Sequence, residues 1–232
     1  LQSFAMEDSR ILKYFEGKTI FITGASGFLA KIFLEKILRL QPKVKKIFLL
    51  LRPTTEKTIE ERLHEEIFSS ELFRVLNERN SPEVNHVLFA KVIPVCGDIV
   101  KENVGITDSE LRDEMWGAID IFVNSAATTR FDERYDVALG INALGALNVE
   151  KFARNCAKLE MLLHVSTAFV SGNKLGLIQE KPFQMGETLH GATIPYLDIN
   201  MEKRIAEERL RELQNLNVTE KEITRAMRDL GI

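Results

Sequence analysis

What is scarce in this chain removes several explanations at once. It has two cysteines, Cys96 and Cys156, and neither belongs to a Cys-x-x-Cys pair. A metal site is therefore not expected, a disulfide framework is not indicated, and a reducing compartment fits. The four histidines, His64, His86, His164 and His190, form no triad and no ligand spacing. His164 falls in an apolar segment and is expected to pack there. No apolar run reaches the roughly 18 residues that a membrane helix needs, and no secretory signal is visible. There is no excess of basic charge: the net charge is −3 and the pI near 5.9, so nucleic acid is not an expected partner. The one basic knot, Lys43, Lys45 and Lys46, reads as a solvated helix end. Internal repeats and low-complexity segments are absent. With Leu1 first and Met6 the first methionine, the sequence reads as a fragment or as the product of upstream processing.

What remains is an ordinary globular composition. The 232 residues are 45% hydrophobic and 28% charged, enough for one large domain with a substantial core. Five short apolar runs recur along the chain: 19–23 (TIFIT), 46–51 (KIFLLL), 91–95, 119–123 and 161–165. The first two are apolar on both faces, as strands covered from both sides are. Between the runs lie helical patterns at 27–40, 56–80 (one or two helices, with a joint at Ser69-Ser70), 107–115 and 135–156. In the third, Thr107 is the expected N-cap, with Glu110 three residues on. Strands alternating with helices imply a parallel α/β sheet built from right-handed βαβ units. A Rossmann-like, doubly wound sheet in the order 3-2-1-4-5 is expected, as one dinucleotide-binding domain over the whole chain. Residues 1–15 read as a lead-in. From 173 to 232 an irregular stretch gives way to helices at 201–216 and 218–232, the latter capped by Thr219. No sixth strand follows, so the fold is expected to be truncated at its C-terminal side.

The segment TGASGFLAK, between the first strand and the first long helix, carries the chemistry. A pyrophosphate needs backbone N–H donors and a positive field, and the first turn of a helix supplies both. Gly24 permits a sharp turn and Gly27 a close approach, while Ala30 takes the third glycine position of the pattern. Thr23 and Ser26 add hydroxyls, and the first-turn residues Phe28 and Leu29 complete the candidate set. The spacing also places Phe28 and Phe33 in the core.

At the end of the second strand stands Arg52, with no acidic residue between 47 and 55. A guanidinium grips a 2′-phosphate, whereas a carboxylate would repel it, so NADPH is favoured over NADH. Asp98 closes the third strand, where it either accepts from an adenine amino group or simply forms a turn. Asn124 and Ala126 follow the fourth, where small residues leave room for a ligand. Asn142, in the helix beyond, either bridges to the strand ends or lies on the helix surface.

Taken in order, TGASGFLAKIFLEKILR, KIFLLLRP, VCGDI, NSAATTRFDERYD, GINALGALNV, LLHVSTAFVSG and EKPFQMGETL resemble the plant alcohol-forming fatty acyl-CoA reductases of the male-sterility family. These are extended short-chain dehydrogenase/reductases. The resemblance implies reduction of a long-chain fatty acyl-CoA to a primary alcohol by two NADPH, and an intracellular protein. It allows peripheral membrane association, at the endoplasmic reticulum. It also implies a catalytic hydroxyl at Thr167, five residues before Gly172, with Ser166 as runner-up. The family's catalytic Tyr-x-x-x-Lys has no counterpart here. Tyr135 is followed four later by Leu139 and Tyr196 by Asn200, while Tyr14 and Lys18 match in YFEGK but precede the first strand. Full activity is thus not expected of this chain alone, and a non-catalytic NADP(H)-binding remnant is the alternative. Residues 172–196 and 128–134 are candidate walls for the acyl group.

Overall fold

The computed structural model describes residues 10–171, 175–182, 184, 187 and 198–231. Gly172, His190, Tyr196 and most of the irregular stretch between 172 and 196 lie outside the described residues. The elements run α1 (Arg10–Tyr14), β1 (Thr19–Thr23), α2 (Phe28–Leu40), β2 (Lys46–Leu51), α3 (Ile59–Arg62), α4 (Arg74–Arg79) and α5 (Pro82–Phe89). Then come β3 (Val92–Cys96), α6 (Ser109–Ala118), β4 (Ile121–Asn124), α7 (Tyr135–Ala138), α8 (Gly145–Arg154), β5 (Met161–His164), α9 (Ile199–Asn215) and α10 (Glu220–Asp229). Two π-helical stretches, Leu63–Phe68 and Leu139–Leu144, extend α3 and join α7 to α8.

The described chain forms two compact units, one of residues 1–129 with 140–165, the other of 130–139 with 166–232. The first holds a five-stranded, wholly parallel sheet in the order β3-β2-β1-β4-β5, the order the sequence implies. Every residue of β1 is buried, because successive side chains enter different cores. Ile20 and Ile22 pack with Ala30, Leu34 and Leu38 of α2 on one face. Phe21, Phe48 and Phe122 pack with Met115 of α6 and Phe152 of α8 on the other. The Phe21 ring lies 4.5 Å from Phe122 and 5.6 Å from Phe152, within the range of aromatic pairs. Helices on both faces explain why TIFIT shows no polar alternation.

Several boundaries differ from expectation for local reasons. α6 begins two residues late, because Asp108 and not Thr107 is the N-cap: its carboxylate accepts from the N–H groups of Glu110 and Leu111. α5, a helix beyond the expected 56–80 pattern, starts on the N-cap Ser81 with Pro82 at N1. The joint at Ser69-Ser70 is real and separates the π-helical stretch from α4. Lys43 and Lys46 are engaged by Glu16 and Glu114, so the basic knot is an ion-paired connection between α2 and β2.

Two packing expectations are corrected. Phe28 is 66% exposed, since it faces outward at the first turn of α2; Phe33 is partly buried against the core. His164 is exposed, because β5 lies at the sheet edge, and its ring is engaged in a hydrogen bond described below. No helix among the described residues is long and apolar enough to cross a membrane.

The second unit is built on α9 and α10. Ala206, Leu213, Ile223 and Met227 form its core, with Tyr135 packed against them. Thr219 caps α10 through a reciprocal pair with Glu222. The Tyr135 hydroxyl donates to Glu202 at 2.7 Å, and burial together with this carboxylate pushes the phenol up to about 12. Arg134 pairs with Asp136, and Arg228 with Asp132.

Candidate functional site

The connections leaving β1 and β4 diverge on the sheet, and ligands of such sheets sit outside the strand ends at that divergence. A cleft of about 180 Å³ lies there in the first unit. Its lining comes from the C-terminal ends of four strands: Gly24–Gly27 after β1, Leu50–Arg52 at β2, Gly97–Ile99 after β3 and Ser125–Ala127 after β4. Arg62 and Ile141 complete it.

The β1 turn gives the cleft its shape. Gly24 has φ +68°, the left-handed region that a side chain disfavours. A Cβ there would meet the Ser125 carbonyl and the Ala126 nitrogen at 2.7 Å. Gly24 therefore provides both the sharp turn and the close approach, so that the β1 and β4 loops lie together as one wall. Gly27 is the N-cap of α2 and brings no side-chain cap to the first-turn N–H groups. Those donors sit at the positive end of a 13-residue helix. Ala30 is buried against the core, where a small side chain lets α2 approach the sheet.

Of the residues singled out from the sequence, Gly24, Ser26, Gly27, Arg52, Asp98 and Ala126 line the cleft. The side chains of Phe28 and Leu29 do not; both are exposed, and only their backbone belongs to the helix start. Thr23 and Asn124 lie beneath the lining, at 0% and 1% exposure, bonded to each other. Asn142 is a clamp on the β4 loop: it accepts from the Thr128 N–H at 2.9 Å and donates to the Thr128 carbonyl at 3.1 Å. Asp98 accepts from the Val100 N–H at 3.2 Å, which forms its turn, and still borders the cleft. Thr167 belongs to the second unit, where its hydroxyl accepts from the Phe169 N–H at 3.1 Å.

Arg62 was not singled out, although its i, i+4 spacing to Glu66 was visible. α3 starts on a reciprocal cap between Thr58 and Glu61, and Arg62, its last residue, reaches back to the end of β2. Its guanidinium donates to both Glu66 oxygens at 2.8 Å and to the Arg52 carbonyl at 2.5 Å. Arg62 thereby braces the backbone of Arg52, whose own side chain is exposed at the cleft. The Arg62 hydrogen bonds hold the Glu66 carboxyl below the usual carboxylate range. Tyr14 and Lys18, the one pair with the right spacing, sit at the N-terminal end of β1, opposite the cleft, and Lys18 is paired with Glu160. Among the described residues no cluster of His, Cys, Asp or Glu could hold a metal.

Residues 22–227 match the model of an NAD-binding family described as "Male sterility protein". Fatty acyl-CoA reductase 1 of Arabidopsis thaliana is 50% identical over 226 residues, 97% of this chain and 45% of that protein. The alcohol-forming fatty acyl-CoA reductase of Simmondsia chinensis is likewise 50% identical, with the same shares covered. Among solved structures, the terminal R domain from the myxalamid PKS-NRPS biosynthetic pathway superposes with a TM-score of 0.53 at 26% identity. That match covers 86% of this chain and 46% of the R domain. The chain thus spans about half the length of the relatives it matches.

Proposed function

The chain belongs to the male sterility protein family, and on that footing we propose that it is the cofactor-binding portion of an NADPH-dependent, alcohol-forming fatty acyl-CoA reductase. The observation that carries this reading is the cleft wall at Gly24, where a Cβ would fill the cradle, set beside Arg52 at the end of β2. A dinucleotide fits such a donor set. The first-turn N–H groups of α2 would take the pyrophosphate, Arg52 the 2′-phosphate, and Asp98 the adenine end. When bound, the nicotinamide supplies hydride for reduction of a carbonyl. The residues present here bind and orient it. Thr167 is the hydroxyl we assign to polarising the carbonyl oxygen.

The partner groups of that hydroxyl are missing from the 232 residues, since no tyrosine carries a lysine four residues on except Tyr14, at the wrong end of β1. General acid catalysis contributes two to four orders of magnitude in typical enzymes. The chain by itself therefore binds the cofactor without turning over acyl-CoA. Two assays test this. Arg52→Asp should convert a preference for NADPH into one for NADH; an unchanged preference refutes the role of Arg52. With long-chain acyl-CoA and NADPH, the chain should form no alcohol; clear turnover refutes the division of labour.

A further inference from the structure

The register of the sheet puts three polar side chains in one row across its C-terminal edge: Thr23 on β1 is opposite Asn124 on β4, and Asn124 is opposite His164 on β5. Their hydrogen bonds run in one direction. The Ala126 N–H donates to Thr23 Oγ1 at 3.3 Å, and the Thr23 hydroxyl donates to Asn124 Oδ1. That orients the Asn124 amide so that its Nδ2 faces His164 Nδ1 at 2.9 Å. With the amide in this orientation Nδ2 donates and Nδ1 accepts, an arrangement that leaves the ring proton on Nε2. Each bond fixes the sense of the next, and a chain of this kind is stiffer than its separate links. It ends at Ala126, a residue of the cleft wall.

We propose that His164, accepting from the Asn124 amide at Nδ1, is a positioning residue that fixes the cleft wall through Asn124, Thr23 and the Ala126 amide. Without the ring, the Asn124 amide loses its acceptor at a site 1% exposed. Asn124 is then free to turn over, which takes from Thr23 the acceptor for its hydroxyl and loosens Ala126 against Gly24. In its effect on cofactor affinity, this role rests on the reading of the cleft as a dinucleotide site. Its effect on the wall does not.

The test uses the full 232-residue chain without ligand and with NADPH. Nitrogen NMR of His164 should show Nδ1 bare and Nε2 protonated. Hydrogen exchange at the Ala126 amide should be protected in the wild type and about tenfold faster in His164→Leu, the loss of one buried hydrogen bond. His164→Asn, whose side-chain oxygen can replace Nδ1, should restore protection. NADPH affinity should follow the same order, with about a tenfold loss in the leucine variant. A proton on Nδ1, or Ala126 exchange that ignores both substitutions, overturns the proposal. Should His164→Leu fail to fold, the ring spectrum and the asparagine variant still decide. Should the wild type bind no NADPH, the cofactor reading falls, while the spectrum and the exchange rates still judge His164.

Discussion

Gly24 and Ala126 lie so close that a methyl group on the Gly24 Cα would sit 2.7 Å from the Ala126 nitrogen. Both contributors to this contact are backbone, so neither can swing aside as a side chain would. Gly24→Ala should push the β1 and β4 loops apart. It adds a left-handed alanine, which costs about 1–2 kcal/mol, to a backbone collision. We expect a lowered Tm and loss of detectable NADPH binding, read by thermal melts and by nucleotide fluorescence. Wild-type affinity in the alanine variant would mean that the wall is not the cradle.

Arg62 acts on Arg52 through its carbonyl, and Glu66 holds Arg62 in place. Arg62→Ala should weaken NADPH binding several-fold while barely changing NADH binding, because what it disturbs is the guanidinium that we propose holds the 2′-phosphate. Competition titrations with the two nucleotides measure this directly.

The Glu66 carboxyl ionises more readily in the folded chain than in the unfolded one, because Arg62 is hydrogen-bonded to it. A lowered folded pKa contributes stability above the unfolded value, near 4.5, and that contribution fades as pH falls through the folded one. The pair is partly exposed, so its worth is at most about 1 kcal/mol. Melts of the wild type and Glu66→Gln should therefore differ by a constant amount near neutral pH and converge as the pH falls below the unfolded value and through the lowered folded one.

The N-cap of α6 separates two readings of one short segment. Asp108→Ala should destabilise the chain by about 1 kcal/mol, the usual worth of an N-cap, whereas Thr107→Ala should change almost nothing. Denaturant melts of the two variants give the comparison, and the reverse order would return the cap to Thr107.

The cysteines should differ sharply in reactivity. Cys156 is 7% exposed and burial pushes its thiol up to about 12, while Cys96 is exposed at the end of β3. Near pH 8 a thiol reagent should modify Cys96 in the native chain and reach Cys156 only after unfolding.

Much of this architecture could be read from the residues. TIFIT and KIFLLL announced buried parallel strands because helices cover both faces, and the glycine turn announced the cleft because backbone geometry there permits little else. Local competition was harder to read. Thr107 and Asp108 are both good caps, and the choice between them depends on where the chain leaves the loop after β3. Phe28 stands six residues before Leu34, about 120° round the helix, so it faces outward while Leu34 and Leu38 face the sheet. Arg62 and His164 act through partners brought together by folding: a carbonyl ten residues back, and an asparagine on the adjoining strand. The i, i+4 spacing of Arg62 to Glu66 marks an ion pair but not the carbonyl it braces, and nothing in one dimension pairs His164 with Asn124. The same holds for Thr23 and Asn124, which looked like ligand contacts and lie beneath the lining instead.

The central claim is that the first unit carries a binding site for a phosphate-bearing nicotinamide dinucleotide. Calorimetric titration of the purified chain with NADPH and with NADH tests it most directly. Saturable, one-to-one binding of NADPH, at least about tenfold tighter than NADH, is the predicted result, since one well-placed charged hydrogen-bond pair is worth that much. Equal affinities, or no binding of either nucleotide by the folded chain, would contradict it.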